Sequence, residues 1–257
     1  MKIFKTLSVC ALFGLSMSAY AQTCPATPAA WDISNAANGG SFAVTSPGAA
    51  GTDCKLTVTH GPNNNGIGTV RDDLASAETS YRARFYVDAT NIMNNAMGPQ
   101  HRTKAFVAGN FENQVGTNID ISARPSILQM FIVGLGNNEA RLGGFCRDLN
   151  SPGNRARFGD PNDVNPGTVT LQPGWNVVEV EIKMGAGTGE CRIWVNNDVE
   201  SSPNWEQTGI DNNLLVGVKR VNIGTVGATQ AYANVLGNEE LHFDEFESRR
   251  QTFIGSN

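Results

Sequence analysis

The chain has 257 residues, with 19 Lys and Arg against 24 Asp and Glu, and a formal charge of −5. An acidic balance of this kind offers no general basic surface to release phosphate counterions, which argues against nucleic acid and anionic lipid as partners. The length suits one undivided sandwich or barrel, since such domains run to roughly 200–250 residues.

Lys2 and Lys5 precede an apolar run over residues 7–15, and Ala19-Tyr20-Ala21 sets small residues ahead of Gln22. That is the pattern of a secretory signal peptide over residues 1–21, leaving one domain over 22–257. The apolar run is well short of the roughly 20 residues that a membrane-spanning helix needs, so removal rather than anchoring is expected. Nothing later in the chain approaches a span, and the expected destination is extracellular or periplasmic. Cys24, Cys54, Cys146 and Cys191 remain beyond the leader, an even number bound for an oxidising compartment, where disulfides are the default. Of the three pairings, Cys24 with Cys54 and Cys146 with Cys191 is favoured, the second because both residues lie in strand-like segments that would be neighbours in one sheet. Loop entropy assigns each bridge about 3.5–4 kcal/mol.

Cys54, Leu56 and Val58 alternate with Lys55, Thr57 and Thr59, the period-two signature of a half-buried strand. Tyr81, Ala83, Phe85 and Val87 share one face of the next strand, and Arg82, Arg84, Tyr86 and Asp88 the other. Short helical pieces are expected at 89–97 and 204–207. Further strands are expected at 104–111, 126–133, 140–147, 168–171, 175–183, 191–196, 214–223 and 241–247, with Gly- and Asn-rich turns between them. Residues 148–167 form the longest stretch without strand character, and loops of that length are usually functional or mobile. Many short strands joined by such turns describe an all-β chain folded as two packed sheets or a closed barrel.

Several side chains carry candidate chemistry. Glu179 and Glu181 share a strand face about 6.5–7 Å apart at Cα, as do Glu245 and Glu247. Paired carboxylates serve as nucleophile and acid/base in glycoside hydrolysis. A third acid at the next alternate position is missing, because Lys183 follows one pair and Arg249 the other. The plainer reading is a solvated outer strand face. Arg82, Arg84 and Tyr86 form a stripe suited to stacking on sugar rings or gripping carboxylated sugars, or else to pairing with acids across strands. Trp194 is a second sugar platform or a core residue between sheets. Asp160, Asn162 and Asp163 supply the hard oxygen donors that Ca²⁺ takes, or a turn that bonds its own backbone. His60, His101 and His242 are scattered, and no Gly-x-Ser-x-Gly elbow or phosphate-binding glycine loop is present.

Four phrases then follow one another: Tyr81-Arg82-Ala83-Arg84-Phe85-Tyr86-Val87-Asp88, Gly174-Trp175-Asn176-Val177-Val178-Glu179-Val180-Glu181, Ile193-Trp194-Val195-Asn196-Asn197 and Phe243-Asp244-Glu245-Phe246-Glu247-Ser248-Arg249-Arg250. In this order the chain resembles concanavalin A-like jelly-roll domains, of the laminin-G-like kind in secreted bacterial proteins. The resemblance covers most of the chain beyond the leader. It implies an antiparallel two-sheet jelly-roll sandwich whose concave face or edge loops hold carbohydrate, sometimes with calcium. That fold class also includes hydrolases, lyases and adhesion modules, so the site must decide function. The expected function is a secreted, non-catalytic binding module that recognises carbohydrate or a cell-surface ligand on the concave sheet. A polysaccharide-degrading hydrolase or lyase and a structural or adhesion protein are the alternatives. Calcium is the one cofactor implied.

Overall fold

The computed structural model describes residues 24, 31–49, 51–63, 65–110, 126–159, 169–213, 216–249 and 251–255. The expected leader at 1–21 and the calcium candidates Asp160, Asn162 and Asp163 lie outside the described residues. Period-two alternation of apolar and polar side chains dominates the rest, and the chain forms strands wherever it does. In order these are β1 (Ile33–Ala37), β2 (Ser41–Thr45), β3 (Lys55–Thr59), β4 (Ile67–Glu78), β5 (Ser80–Asp88), helix α1 (Thr90–Asn95), β6 (His101–Gly109), β7 (Ser126–Gly136), β8 (Glu139–Arg147), β9 (Arg155–Phe158), β10 (Val169–Leu171), β11 (Trp175–Lys183), β12 (Gly189–Val195), β13 (Trp205–Ile210), β14 (Val218–Ala228), helix α2 (Gln230–Leu236) and β15 (Leu241–Arg249).

Two antiparallel sheets result. The eight-stranded sheet runs β1-β4-β14-β6-β7-β8-β10, with β9 also paired to β8, and the seven-stranded sheet runs β13-β12-β11-β5-β15-β3-β2. Their inner faces make the core. Tyr81, Ala83, Phe85 and Val87 of β5 and Val178, Val180 and Ile182 of β11 meet Phe106, Met130, Ile132 and Leu142 of the other sheet. Phe85 stacks on Phe106 across the interior at 5.5 Å. The alternation read in β5 is the one the fold uses.

Both expected disulfides are formed, with Cα–Cα separations of 5.6 Å for Cys24–Cys54 and 6.5 Å for Cys146–Cys191. The reason given for the second is corrected, because Cys146 lies on β8 and Cys191 on β12, in different sheets. Both face inward, so the bridge staples the two sheets through the core.

Three local expectations change. Residues 148–167 contain strand β9, where buried Ala156 and Phe158 alternate with Arg155 and Arg157. Four residues among Pro and Gly give too short a periodicity to stand out. Residues 204–207 enter β13 rather than a helix, because pairing with β12 supplies the backbone partners. A helix not expected, α2, starts where the Thr229 hydroxyl accepts a hydrogen bond from Tyr232 N–H at 3.3 Å. Among the described residues no helix is long and apolar enough to cross a membrane.

Candidate functional site

Each sheet has an outer face, and the two differ in chemistry. On the seven-stranded sheet, register aligns the outward residues into rows across the strands. Arg82 lies opposite Glu181, Glu181 opposite Arg192, and Arg192 opposite Glu206. In the next row Arg84 lies opposite Glu179, and Glu179 opposite Trp194. Opposite charges directly across a strand pair attract, and these rows are built from them. Arg82 Nη2 sits 2.8 Å from Glu181 Oε1, and Arg192 Nη1 2.7 Å from Glu181 Oε2. The cross-strand pairing anticipated for the arginines is therefore present at Arg82.

Solvation of this face is not as anticipated. Glu179 and Glu181 are 2% and 1% exposed, and Arg82 and Arg84 are 4% and 1%. Residues 253–255, beyond the end of β15, cover one part of the row. Phe253 packs against Trp194 at 5.4 Å, and Glu179 accepts hydrogen bonds from the N–H groups of Ile254 and Gly255. The 197–204 loop covers another part, with Glu200 bonded to Arg82 at 2.8 Å and its carbonyl accepting the Trp194 indole N–H at 3.2 Å. Trp194 is thus buried outside the inter-sheet core, under these two segments.

Burial pushes the Glu179 carboxyl up, partly offset by the Gly255 and Ile254 N–H groups and by Arg82. Burial acts the same way on Glu181, but Arg192, Arg82 and Lys183 outweigh it and hold this carboxyl below its usual value. A pair with separated pKa values is the raw material of acid/base catalysis. Here the carboxylate oxygens are already committed to the tail and to arginine, and a substrate would have to displace them. Glu245 lies inside a register break of β15 between Asp244 and Glu247, which interrupts the alternation that would align it with Glu247. Glu245 has φ of 49°, and the two carboxylates lie 3.9 and 3.4 Å from Arg84 Nη2. Tyr86 is 6% exposed, with the Arg84 guanidinium 5.8 Å from its ring centre.

The outer face of the eight-stranded sheet holds a groove of about 310 Å³. Its rows again follow register: Lys104, Phe131 and Gly143 align across β6, β7 and β8, and Gln129, Phe145 and Arg157 across β7, β8 and β9. Arg102 and Arg155 complete the cationic lining. Glycine at 143 lets the chain after β9 come close, since a Cβ there would lie 2.5 Å from the Gly159 carbonyl oxygen. Arg155 sits 4.4 Å from the Phe145 ring centre, and Arg102 5.9 Å from that of Phe131, within cation–π range. Gln129 donates to Ser126 Oγ at 2.6 Å, which fixes its amide. Burial and the nearby Arg155 charge lower the Arg147 pKa, a sign of concentrated positive charge.

Four of the chain's 19 Lys and Arg residues thus line one groove, and its described lining includes no Asp or Glu. Sequence reasoning did not select Arg102, Lys104, Gln129, Phe131, Phe145, Arg155 or Arg157. The available signal was alternation, with cations two apart at 102 and 104 and again at 155 and 157. Among the described residues no group of three or more His, Cys, Asp or Glu is placed to hold a metal ion.

Solved structures share this arrangement of sheets. The endo-β-1,4-glucuronan lyase of the fungus Trichoderma reesei superposes with a TM-score of 0.58 at 16% identity, over 86% of this chain and 91% of that one. The cellulose-induced protein Cip1 superposes with a TM-score of 0.54 at 17% identity, over 92% of this chain and 100% of that one. The fold is a concanavalin A-like jelly roll. No protein-family model matches the chain, and no curated protein matches it in sequence. Within this jelly roll the two outer faces are the places where function can reside, one closed by its own chain and one hollowed and basic.

Proposed function

We propose that the protein is an extracytoplasmic binding module for an acidic polysaccharide, held along the groove of the eight-stranded sheet. The observation that carries this reading is local charge against global charge. A chain of net charge −5 lines its groove with Arg102, Lys104, Arg155 and Arg157. Guanidinium groups bind carboxylates in bidentate fashion, and the half-buried Phe131 beside them offers an apolar surface to a sugar ring. A structural neighbour named for activity on glucuronan, an acidic sugar polymer, supports the same ligand class. The leader read at 1–21 and the two disulfides support an oxidising compartment outside the cytoplasm.

Calorimetric titration with oligoglucuronate, oligogalacturonate and neutral cello-oligosaccharides, each with and without calcium, tests this reading. Acidic oligomers are expected to bind and neutral ones not, and Arg155→Ala with Arg157→Ala is expected to weaken binding about tenfold or more. Equal affinity for neutral and acidic oligomers, or indifference to both substitutions, would overturn it. Release of an unsaturated uronate, followed by ultraviolet absorbance, would move the protein from binder to lyase.

A further inference from the structure

Arg82, Arg84, Glu179 and Trp194, on the outer face of the seven-stranded sheet, are each more than nine-tenths buried. Three of them, Trp194, Glu179 and Arg84, form one row across β12, β11 and β5. Neighbouring strands lie about 4.8 Å apart, and an extended chain advances about 3.3–3.6 Å per residue. A three-residue segment crossing the strands therefore meets successive members of the row, and residues 253–255 do so. The Phe253 ring meets Trp194 at 5.4 Å with an interplanar angle of 63°. The Arg82 guanidinium lies 5.3 Å from the Trp194 ring centre and 5.6 Å from that of Phe253. Glu179 then accepts the Ile254 N–H at 3.1 Å and the Gly255 N–H at 2.9 Å, and Arg84 Nη1 donates to the Gly255 carbonyl at 2.9 Å.

These contacts divide into one side-chain anchor and three main-chain hydrogen bonds, each to a charged group. Hydrogen bonds of that kind are stronger than neutral ones, and they read backbone rather than side-chain identity. The tail supplies Glu179 with two N–H donors and Arg84 with a carbonyl acceptor, beside the Arg82 partner of the one and the Glu245 and Glu247 partners of the other. The geometry points to a peptide-binding site on this face, made by Trp194, Arg82, Glu179 and Arg84, which takes a three-residue segment led by an aromatic residue and turned at a glycine, and is filled in cis by Phe253-Ile254-Gly255, with Gly255 at φ 72°. The tethered tail is an exchangeable ligand rather than a fixed part of the core. Its local concentration, in the millimolar range for a short tether, excludes competing peptides from the intact protein.

The test uses the full chain and a fluorescent peptide with the sequence of residues 251–257. Phe253→Ala weakens the tethered tail, and this variant is expected to bind the peptide saturably by anisotropy, whereas a scrambled peptide does not bind. Adding Glu179→Gln to that variant is expected to weaken capture about tenfold. A second readout needs no substitution. In the unaltered protein the Ile254 and Gly255 amides are expected to exchange with deuterium more slowly than in the free peptide, and excess peptide is expected to speed that exchange by displacing the tail. Exchange at the free-peptide rate, or protection that no excess of peptide relieves, overturns the proposal. So does a folded Phe253→Ala variant that fails to capture the peptide.

Discussion

The two outer faces of this sandwich use the same alphabet of charge to opposite ends. On the seven-stranded sheet Arg82, Arg192, Glu181 and Glu206 alternate in sign across neighbouring strands, and the tail and the 197–204 loop shut out water. On the eight-stranded sheet Arg155 and Arg157 stand at alternate positions of β9 beside Lys104 and Arg102, and register sets Phe131 opposite Lys104 and Phe145 opposite Arg157. Opposite charges in register make a structural ladder, and like charges gathered on one surface make a site that an anion completes. Arginine content alone therefore says little; whether a carboxylate or an aromatic ring lies directly across the strand decides its use.

The largest effect expected to test this contrast is on stability. Arg82→Ala removes a partner shared by Glu179 and Glu181, leaving Glu181 to Arg192 and Glu179 to the Ile254 and Gly255 N–H groups, and loss of one partner from a buried ion pair costs about 3–5 kcal/mol. Arg157→Ala on the other face, where the side chain is exposed, should cost about 1 kcal/mol or less. Urea unfolding of both variants measures the difference, and equal effects would erase the distinction between the faces. Next in size is the bridge between the sheets. Replacing Cys146 and Cys191 with Ala is expected to cost about 4 kcal/mol for a loop of 45 residues, read in the same unfolding experiment.

Charge reversal sharpens the comparison from the ligand side. Arg155→Glu with Arg157→Glu is expected to lower affinity for acidic oligosaccharides about a hundredfold or more, read on the folded variant. Raising the salt concentration should weaken the same binding progressively, because exposed charges are screened and the tail-covered pairs much less so.

A smaller effect appears in acid. Glu181 is held below its usual value of 4.5 by arginine in spite of burial, and Asp73 is held below 3.8 because Arg220 and Arg71 outweigh burial. A carboxylate depressed in the folded state stabilises above its unfolded pKa, and that contribution is lost as pH falls through the folded value. Glu179 is raised, so its contribution has the opposite sign, present at low pH and lost as pH rises through its folded pKa. With Asp148 also depressed and Asp72 also raised, the depressed carboxyls among the described residues outnumber the raised ones by three to two, and the melting temperature is expected to fall as pH drops below about 4.5, with a shallower fall in Asp73→Asn. Thermal melts from neutral pH downward check this.

Period-two alternation in β5 and β11, turn residues between short strands, and an even set of cysteines were legible in the amino-acid order because each depends on near neighbours. The all-β class and the inward faces of those strands follow from them, whereas Cys146 meets Cys191 only because the two sheets pack face to face. The β9 alternation at Arg155 and Arg157 was present but too short to weigh. Which outward face is covered could not be read locally, because Glu179 and Glu181 carry the same pattern whether water or residues 253–255 lie above them. Sheet register brought Arg82 opposite Glu181, and chain return laid Phe253 on Trp194. Those contacts join residues more than fifty positions apart, and only the packed sandwich brings them within reach.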